Sequence, residues 1–295
     1  MIPQFPQFKN IELSDKEELD RYTERFPPYS DFDFASVWSW DVKEEIGISI
    51  LNNNLVIRFT NYTTGAPLLS YLGTDDVNET ARELIRHSPD GRLELVPEVS
   101  TIGLDPTIFS VEEDLDQFDY VCKVENHITY EGKDLKSHRK LLQQFRNEHP
   151  NFEGVSLNMA TNEAREEVAG VYKRWDESRG FVTMSEAFAY ERFLAGVHAL
   201  NYTAVGIKVG GKLVAFHAAS LPQGTCADAL FSKADTNYRG VYATLDHVVA
   251  IDLLERGYTH MNIQQDLGIE SLRKAKKSLH PAYFLKKYVV ALRSS

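Results

Sequence analysis

Apolar positions recur along this chain with two periods, and the period changes often. Spacings of three and four mark helices. They appear as Leu19, Tyr22 and Phe26 after a Ser14–Glu17 capping box, as Phe34, Val37 and Trp38 within 31–43, and as Val77, Ala81, Leu84 and Ile85 within 75–87. Leu135, Leu142 and Phe145 mark a further basic helix over 133–148. Alternating or short apolar runs mark strands at 46–51, 55–59, 67–72, 92–97 and 118–124, with Asn52-Asn53-Asn54 as a hairpin turn. The acidic positions Glu112, Glu113, Asp114, Asp116 and Asp119 read as a solvated loop.

The same vocabulary returns after Pro150. A strand is predicted at 155–160, a helix over 162–178 with Val168, Val171, Tyr172 and Trp175 inward, and a second helix from a Ser185 cap to about 200. Strands at 202–209 and 212–221 flank the Gly210-Gly211 turn, and another follows at 225–233. A helix then runs to Gly257, a strand covers 258–263 and a helix covers 268–278. In that helix Leu272, Ala275 and Leu279 are expected inward, with Arg273, Lys276 and Lys277 elsewhere. The last strand is 282–292. Both halves thus run helix, helix, three antiparallel strands, helix, strand, helix, strand. This order predicts an α+β fold of two copies, 1–150 and 151–295, each a mixed, mostly antiparallel sheet flanked by helices. It suits the tandem arrangement of the acyltransferase fold called GNAT.

Composition narrows the classes. Apolar residues make up 43% and charged residues 25%, the balance of a folded soluble protein. No run of about 20 apolar residues is present, so no membrane span is expected. The start, MIPQFPQF, lacks the pattern of a secretory signal, and Cys122 and Cys226 lie inside strands, so a cytoplasmic location is expected. A net charge of −11 argues against DNA as a partner. The charge is uneven: residues 265–295 hold seven Lys or Arg against Asp266 and Glu270, leaving −16 on the rest. Such a basic face suits a confined anionic ligand or one arm of an RNA.

The stretch 258–280 concentrates the chemistry. Its strand ends in Gln264, Gln265 and Asp266, Gly268 permits a turn, and the helix behind carries Arg273, Lys274, Lys276 and Lys277. Ligands of open α/β sheets sit beyond strand carboxyl ends. A polar turn before a solvated helix face would give the same pattern. No HExxH, G-x-S-x-G or phosphate-loop motif is present, and His217 and His247 stand alone on apolar elements, so no metal is expected.

Asn262, Asp266-Leu-Gly-Ile-Glu270, Leu272-Arg-Lys-Ala-Lys276 and Ser278 resemble a signature of an uncharacterised bacterial family. That family shares its domain with the C-terminal catalytic part of phosphatidylglycerol lysyltransferases. Further pieces at 32–40, 118–121 and 132–145 extend the resemblance over most of the chain. The resemblance implies tandem GNAT architecture and acyl or aminoacyl transfer to an amine or hydroxyl. Ser232, Asp246, Val248, Ile263 and Gln264 replace polar family residues, which also suits a degenerate module that only binds a small anionic or amino-acid-like ligand. The expected donors are aminoacyl-tRNA or acyl-CoA, the former with tRNA as a partner and either with a small-molecule acceptor. Tyr242, where the acetyl-CoA pattern wants a small residue, counts against coenzyme A. Asp266 is expected as base or amine anchor, Tyr242 as proton donor to the leaving group, and Lys233 beside them as a third catalytic group. Arg239, Gly240, Asn262, Gln264, Arg273, Lys274 and Lys277 are expected to hold substrate or carrier.

Overall fold

The computed structural model describes residues 1–41, 43–60, 66–179 and 184–293. In chain order they form β1 (Lys9–Asn10), α1 (Lys16–Thr23), α2 (Phe34–Trp40), β2 (Gly47–Leu51), β3 (Asn54–Thr60), β4 (Pro67–Leu72), α3 (Val77–His87), β5 (Arg92–Pro97), α4 (Glu98–Thr101) and β6 (Phe109–Glu113). Then come β7 (Asp119–Lys123), α5 (Asn126–Thr129), α6 (Lys136–Glu148), β8 (Glu153–Ser156), α7 (Asn162–Arg179), α8 (Met184–Gly196), β9 (Tyr202–Val209), β10 (Lys212–Ser220) and β11 (Cys226–Ala234). The chain closes with α9 (Val241–Glu255), β12 (His260–Asn262), α10 (Glu270–Ser278), β13 (Tyr283–Leu285) and β14 (Lys287–Leu292). This is an α+β fold of mixed, mainly antiparallel sheets flanked by helices. The Ser185 side chain, expected as a cap, lies outside the described residues.

Two compact units result, and they do not divide at residue 150. One holds 1–120, 265–273 and 284–295; the other holds 121–264 and 274–283. The sequence pattern misses this because the chain's last strand, β14, pairs with β5 and β6 of the first unit, in the order β5–β14–β6. The first unit also carries the antiparallel sheet β1–β2–β3–β4. Val56 and Tyr71 of that sheet, Ala81 and Leu84 of α3, and Leu93, Phe109 and Val290 form one core.

The first unit hides an ionic network that its sequence suggests only as loop and helix. Lys287 is 0% exposed and binds Asp119 at 2.7 Å and Asp31. Asp119 also accepts from the Ser30 N–H at 2.9 Å and the Ser30 hydroxyl at 2.7 Å. The Gln265 amide donates to Asp31 at 3.3 Å. Asp119 is therefore no solvated loop residue, and Asp31 lies outside α2 in a short 3-10 turn, Ser30–Phe32. Burial raises the Asp31 pKa and Lys287 opposes it. Burial would lower the Lys287 pKa, but Asp119 and Asp31 raise it. Two other expectations differ as well. The capping box is Glu12 with Asp15, ahead of α1, and Glu112 and Glu113 belong to β6.

In the second unit the sheet runs β12–β11–β10–β9–β8, with Val121, Cys122 and Lys123 of β7 paired to β12. Strand alternation sorts two helical layers onto it. Phe216 of β10 meets Tyr172 of α7 and Tyr190 of α8 on one face. Ala215 and Ala219 meet Val241, Leu245 and Val249 of α9 on the other. Gly240, at φ 84°, opens α9 because any Cβ there would strike the Leu141 carbonyl.

Candidate functional site

The second unit's sheet divides at one place. β11 pairs in parallel with β12 only through Cys226, Ala227 and Asp228, opposite His260, Met261 and Asn262. β12 ends there, while β11 continues beside β10 to Ala234. The strands therefore part at their carboxyl ends, where α/β folds take ligands. Buried polar groups close the fork. Asp228 and Asn262 are 1% and 0% exposed. The Gln264 amide donates to Asp228 at 3.0 Å, and its backbone N–H donates to Asn262 Oδ1 at 2.7 Å. Gln264 sits at φ 61°, a left-handed backbone that turns the chain away from the strand. The Lys276 ammonium donates to the Ile263 carbonyl at 2.6 Å beside it. Asp228 was hidden in the sequence, its only sign an acid inside the apolar run 226–231.

α9 supplies a second group of residues, starting from the turn after β11. Asp235 Oδ1 accepts from Asn237 N–H and amide at 3.2 and 2.9 Å, fixing the approach to Gly240. Arg239 is exposed, and Tyr242 is half-buried in the helix's first turn. One turn later comes Asp246, on the same flank as Tyr242. Burial pushes the Asp246 carboxyl up to about 7. Its charge reaches Cys122 and Tyr130, and Lys276 reaches Cys122 as well. Burial pushes the Cys122 thiol up to about 12 and raises the Tyr130 phenol, so both stay protonated at neutral pH. His247 is fixed at Nδ1 by the Ile128 carbonyl and at Nε2 by Arg146, both at 2.8 Å. Burial drives His217 down to about 4, a neutral core ring. Among the described residues no cluster of His, Cys, Asp or Glu is placed to hold a metal.

Three sequence expectations are corrected. Asp266, expected as base, is 0% exposed and belongs to the first unit. It accepts from Arg273 Nη2 and Nε at 2.8 Å, from the Tyr120 hydroxyl at 2.6 Å and from the Gly268 N–H at 2.9 Å. Burial alone would raise its pKa, but Arg273, Tyr120 and the Gly268 N–H outweigh that and hold it at about 2. A carboxylate so acidic is a poor proton acceptor near neutral pH. Arg273, expected to hold substrate, is spent on Asp266 and on Asp116 at 2.5 Å. Lys233, expected as catalytic, pairs with Glu186 at 2.5 Å and lies 4.4 Å over the Trp175 ring. It is on the α7–α8 face of the sheet, opposite α9.

The helix behind Asp266 is also turned over. Arg273 and Lys276 make the inward bonds of α10, whereas Leu272 is 39% exposed and Ala275 is exposed. Lys274 and Lys277 are exposed too. The apolar spacing was real, but charge partners on the protein side chose the buried face.

The Asp266 pair predicts an acid-sensitive term. A lowered carboxyl stabilises above its ordinary value of 3.8 and loses that stability as pH falls toward 2. Arg273→Ala should lower stability at pH 7 by urea unfolding, because Asp266 then keeps its buried charge without its cation. The deficit should shrink at pH 2.5. An equal deficit at both pH values would contradict this account.

Comparison with known proteins fits the fold. The family described as phosphatidylglycerol lysyltransferase, C-terminal, matches residues 24–291. A conserved protein of unknown function from Bacteroides thetaiotaomicron is 26% identical, with a TM-score of 0.85 over 99% of this chain and 100% of that one. L-PGS from Bacillus licheniformis is 14% identical, with a TM-score of 0.63 over 100% of this chain and 95% of that one. FemX is 8% identical, with a TM-score of 0.63 over 97% of each. No curated protein matches the chain. The fold is thus GNAT-like. Among the described residues no helix is long and apolar enough to cross a membrane.

Proposed function

Because the chain belongs to the phosphatidylglycerol lysyltransferase C-terminal family, we propose that it is an aminoacyltransferase of tandem GNAT build. In this reading it moves an aminoacyl group from tRNA to an amine or hydroxyl of a small acceptor in the cytoplasm. The observation that carries the reading is the fork between β11 and β12, floored by Asp228, Asn262 and Gln264. Acyl transfer needs a carbonyl held beside a neutral nucleophile. Buried amides at a strand fork suit an uncharged ester, and Gly240, Arg239, Lys274 and Lys277 suit the carrier's phosphates.

Asp246 replaces Asp266 as the proposed base. Its carboxyl titrates near neutrality, where a general base works best. The acceptor oxygen or nitrogen attacks the ester carbon and gives its proton to Asp246. The new acyl bond forms, the ester C–O bond breaks, and the departing ribose oxygen takes a proton from Tyr242. Purified protein given tRNA charged with radiolabelled lysine should move label into an acceptor fraction. Acetyl-CoA should not be consumed. Failure with every aminoacyl-tRNA tested would sink the reading.

A second reading has its own support. Asp266, Arg273 and Lys233 are all locked in ion pairs, as in a fold that keeps its cleft but has lost chemistry. A binding module would gain thermal stability from an amino-acid-like ligand yet yield no product.

A further inference from the structure

A groove of about 500 Å³ lies between α7 and α8 of the second unit, away from the α9 face. That size falls in the range of small-molecule sites, roughly 300–1,000 Å³. Its floor is aromatic. Tyr172 and Tyr190 have ring centroids 5.0 Å apart, and both pack on Phe216. Tyr190 is 8% exposed. Among the described residues, neither phenol hydroxyl has a hydrogen-bond partner. A buried hydroxyl without a partner is costly, and native structures rarely keep one without a use.

The rim has a matching bias. Glu166, Asp176 and Glu191 line it, and none makes an ion pair or hydrogen bond among the described residues. Two cations, Arg165 and Lys173, leave the rim net acidic. Arg165 is already committed, its Nε to the Met159 carbonyl at 2.8 Å and its Nη2 to the Leu194 carbonyl at 3.3 Å. The neighbourhood also shows what it accepts. The Lys233 ammonium sits 4.4 Å over Trp175 and 5.9 Å over Tyr172, paired with Glu186. Ring faces and a carboxylate already hold one ammonium here.

We propose that this groove binds a primary ammonium ion carried on an apolar body, with the Tyr172 and Tyr190 hydroxyls and the acidic rim as its polar contacts. The phenol oxygens accept from the ammonium, the carboxylates neutralise it, and the apolar body covers the tyrosine rings and Leu194. The inference does not rest on the transferase reading, since the groove is on the other face of the sheet from Tyr242 and Asp246.

Calorimetric titration of the full chain with n-octylamine, octan-1-ol and octanoate tests it. Octylamine should bind at one site at least about tenfold tighter than octanol, and octanoate should not bind. Tyr190→Phe keeps the ring, and Glu191→Gln changes only an exposed side chain, so both should fold. Each should weaken octylamine by about tenfold and leave octanol unchanged. Equal affinity for octylamine and octanol, no binding, or octylamine binding untouched by both substitutions would overturn the proposal.

Discussion

Replacing Asp246 with asparagine should stabilise the folded chain above neutral pH and slow transfer by about a hundredfold or more. The two effects have one cause. Burial raises this carboxyl from 3.8 to about 7. Between those values the folded state holds a proton that the unfolded chain has released, so stability falls as pH rises through that window. Above it the folded chain carries a poorly solvated anion. Asparagine removes that charge while keeping the shape. The gain should be about 2 kcal/mol at pH 8 after allowing for partial exposure to water, and close to nothing at pH 4. The transfer rate of the natural chain should climb with pH through about 7, and the residual rate of the variant should not follow that curve. Cys122 and Tyr130, which feel the same charge, titrate too high to imitate it. Melting curves of both proteins from pH 4 to 8 provide the check. Parallel curves would mean that Asp246 is solvated and cannot be the tuned base.

Lys287→Met should be the most damaging single change in the first unit, costing about 3–5 kcal/mol. The lysine is fully enclosed with two carboxylates, Asp31 and Asp119. Removing it leaves both acids buried without their cation. Lys286→Met is the control, because that ammonium pairs with Glu113 at 39% exposure and should leave stability nearly unchanged. Folding of Lys287→Met should partly recover when Asp31 and Asp119 become asparagines. The raised lysine pKa also fixes the alkaline side: its stabilisation is complete below 10.5 and fades only above that value. A Lys287→Met protein as stable as the Lys286→Met one would contradict the network. Such a result would mean the cavity admits water to both acids.

Much of the fold could be read from periodicity. The strands 46–51, 55–59, 67–72, 202–209 and 212–221 match β2, β3, β4, β9 and β10 closely, because each alternates or turns at Asn or Gly. Pairing over long sequence distance could not be read. β14 begins 195 positions after β5, at Lys287 against Arg92, and nothing local names its partners. That single pairing moves the domain boundary. The site was legible in part. Asn262 and Gln264 do meet at the fork, since a strand end is visible in sequence. The fate of Asp266 was not, because Tyr120 bonds it, and Asp116 bonds its partner Arg273, from about 150 residues away. Helix α10 teaches the same lesson, since Arg273 and Lys276 found acceptors that its own spacing does not show.

The central claim is that the fork between β11 and β12 receives the reacting ester. A crystal structure with 3′-lysylamido-adenosine, a stable mimic of the charged tRNA end, tests it most directly. The account predicts the amide carbonyl at the fork beside Asp228, Asn262 and Gln264, with the acceptor side open to Asp246. Density for the mimic elsewhere on the chain, with the fork closed and unchanged, would contradict it.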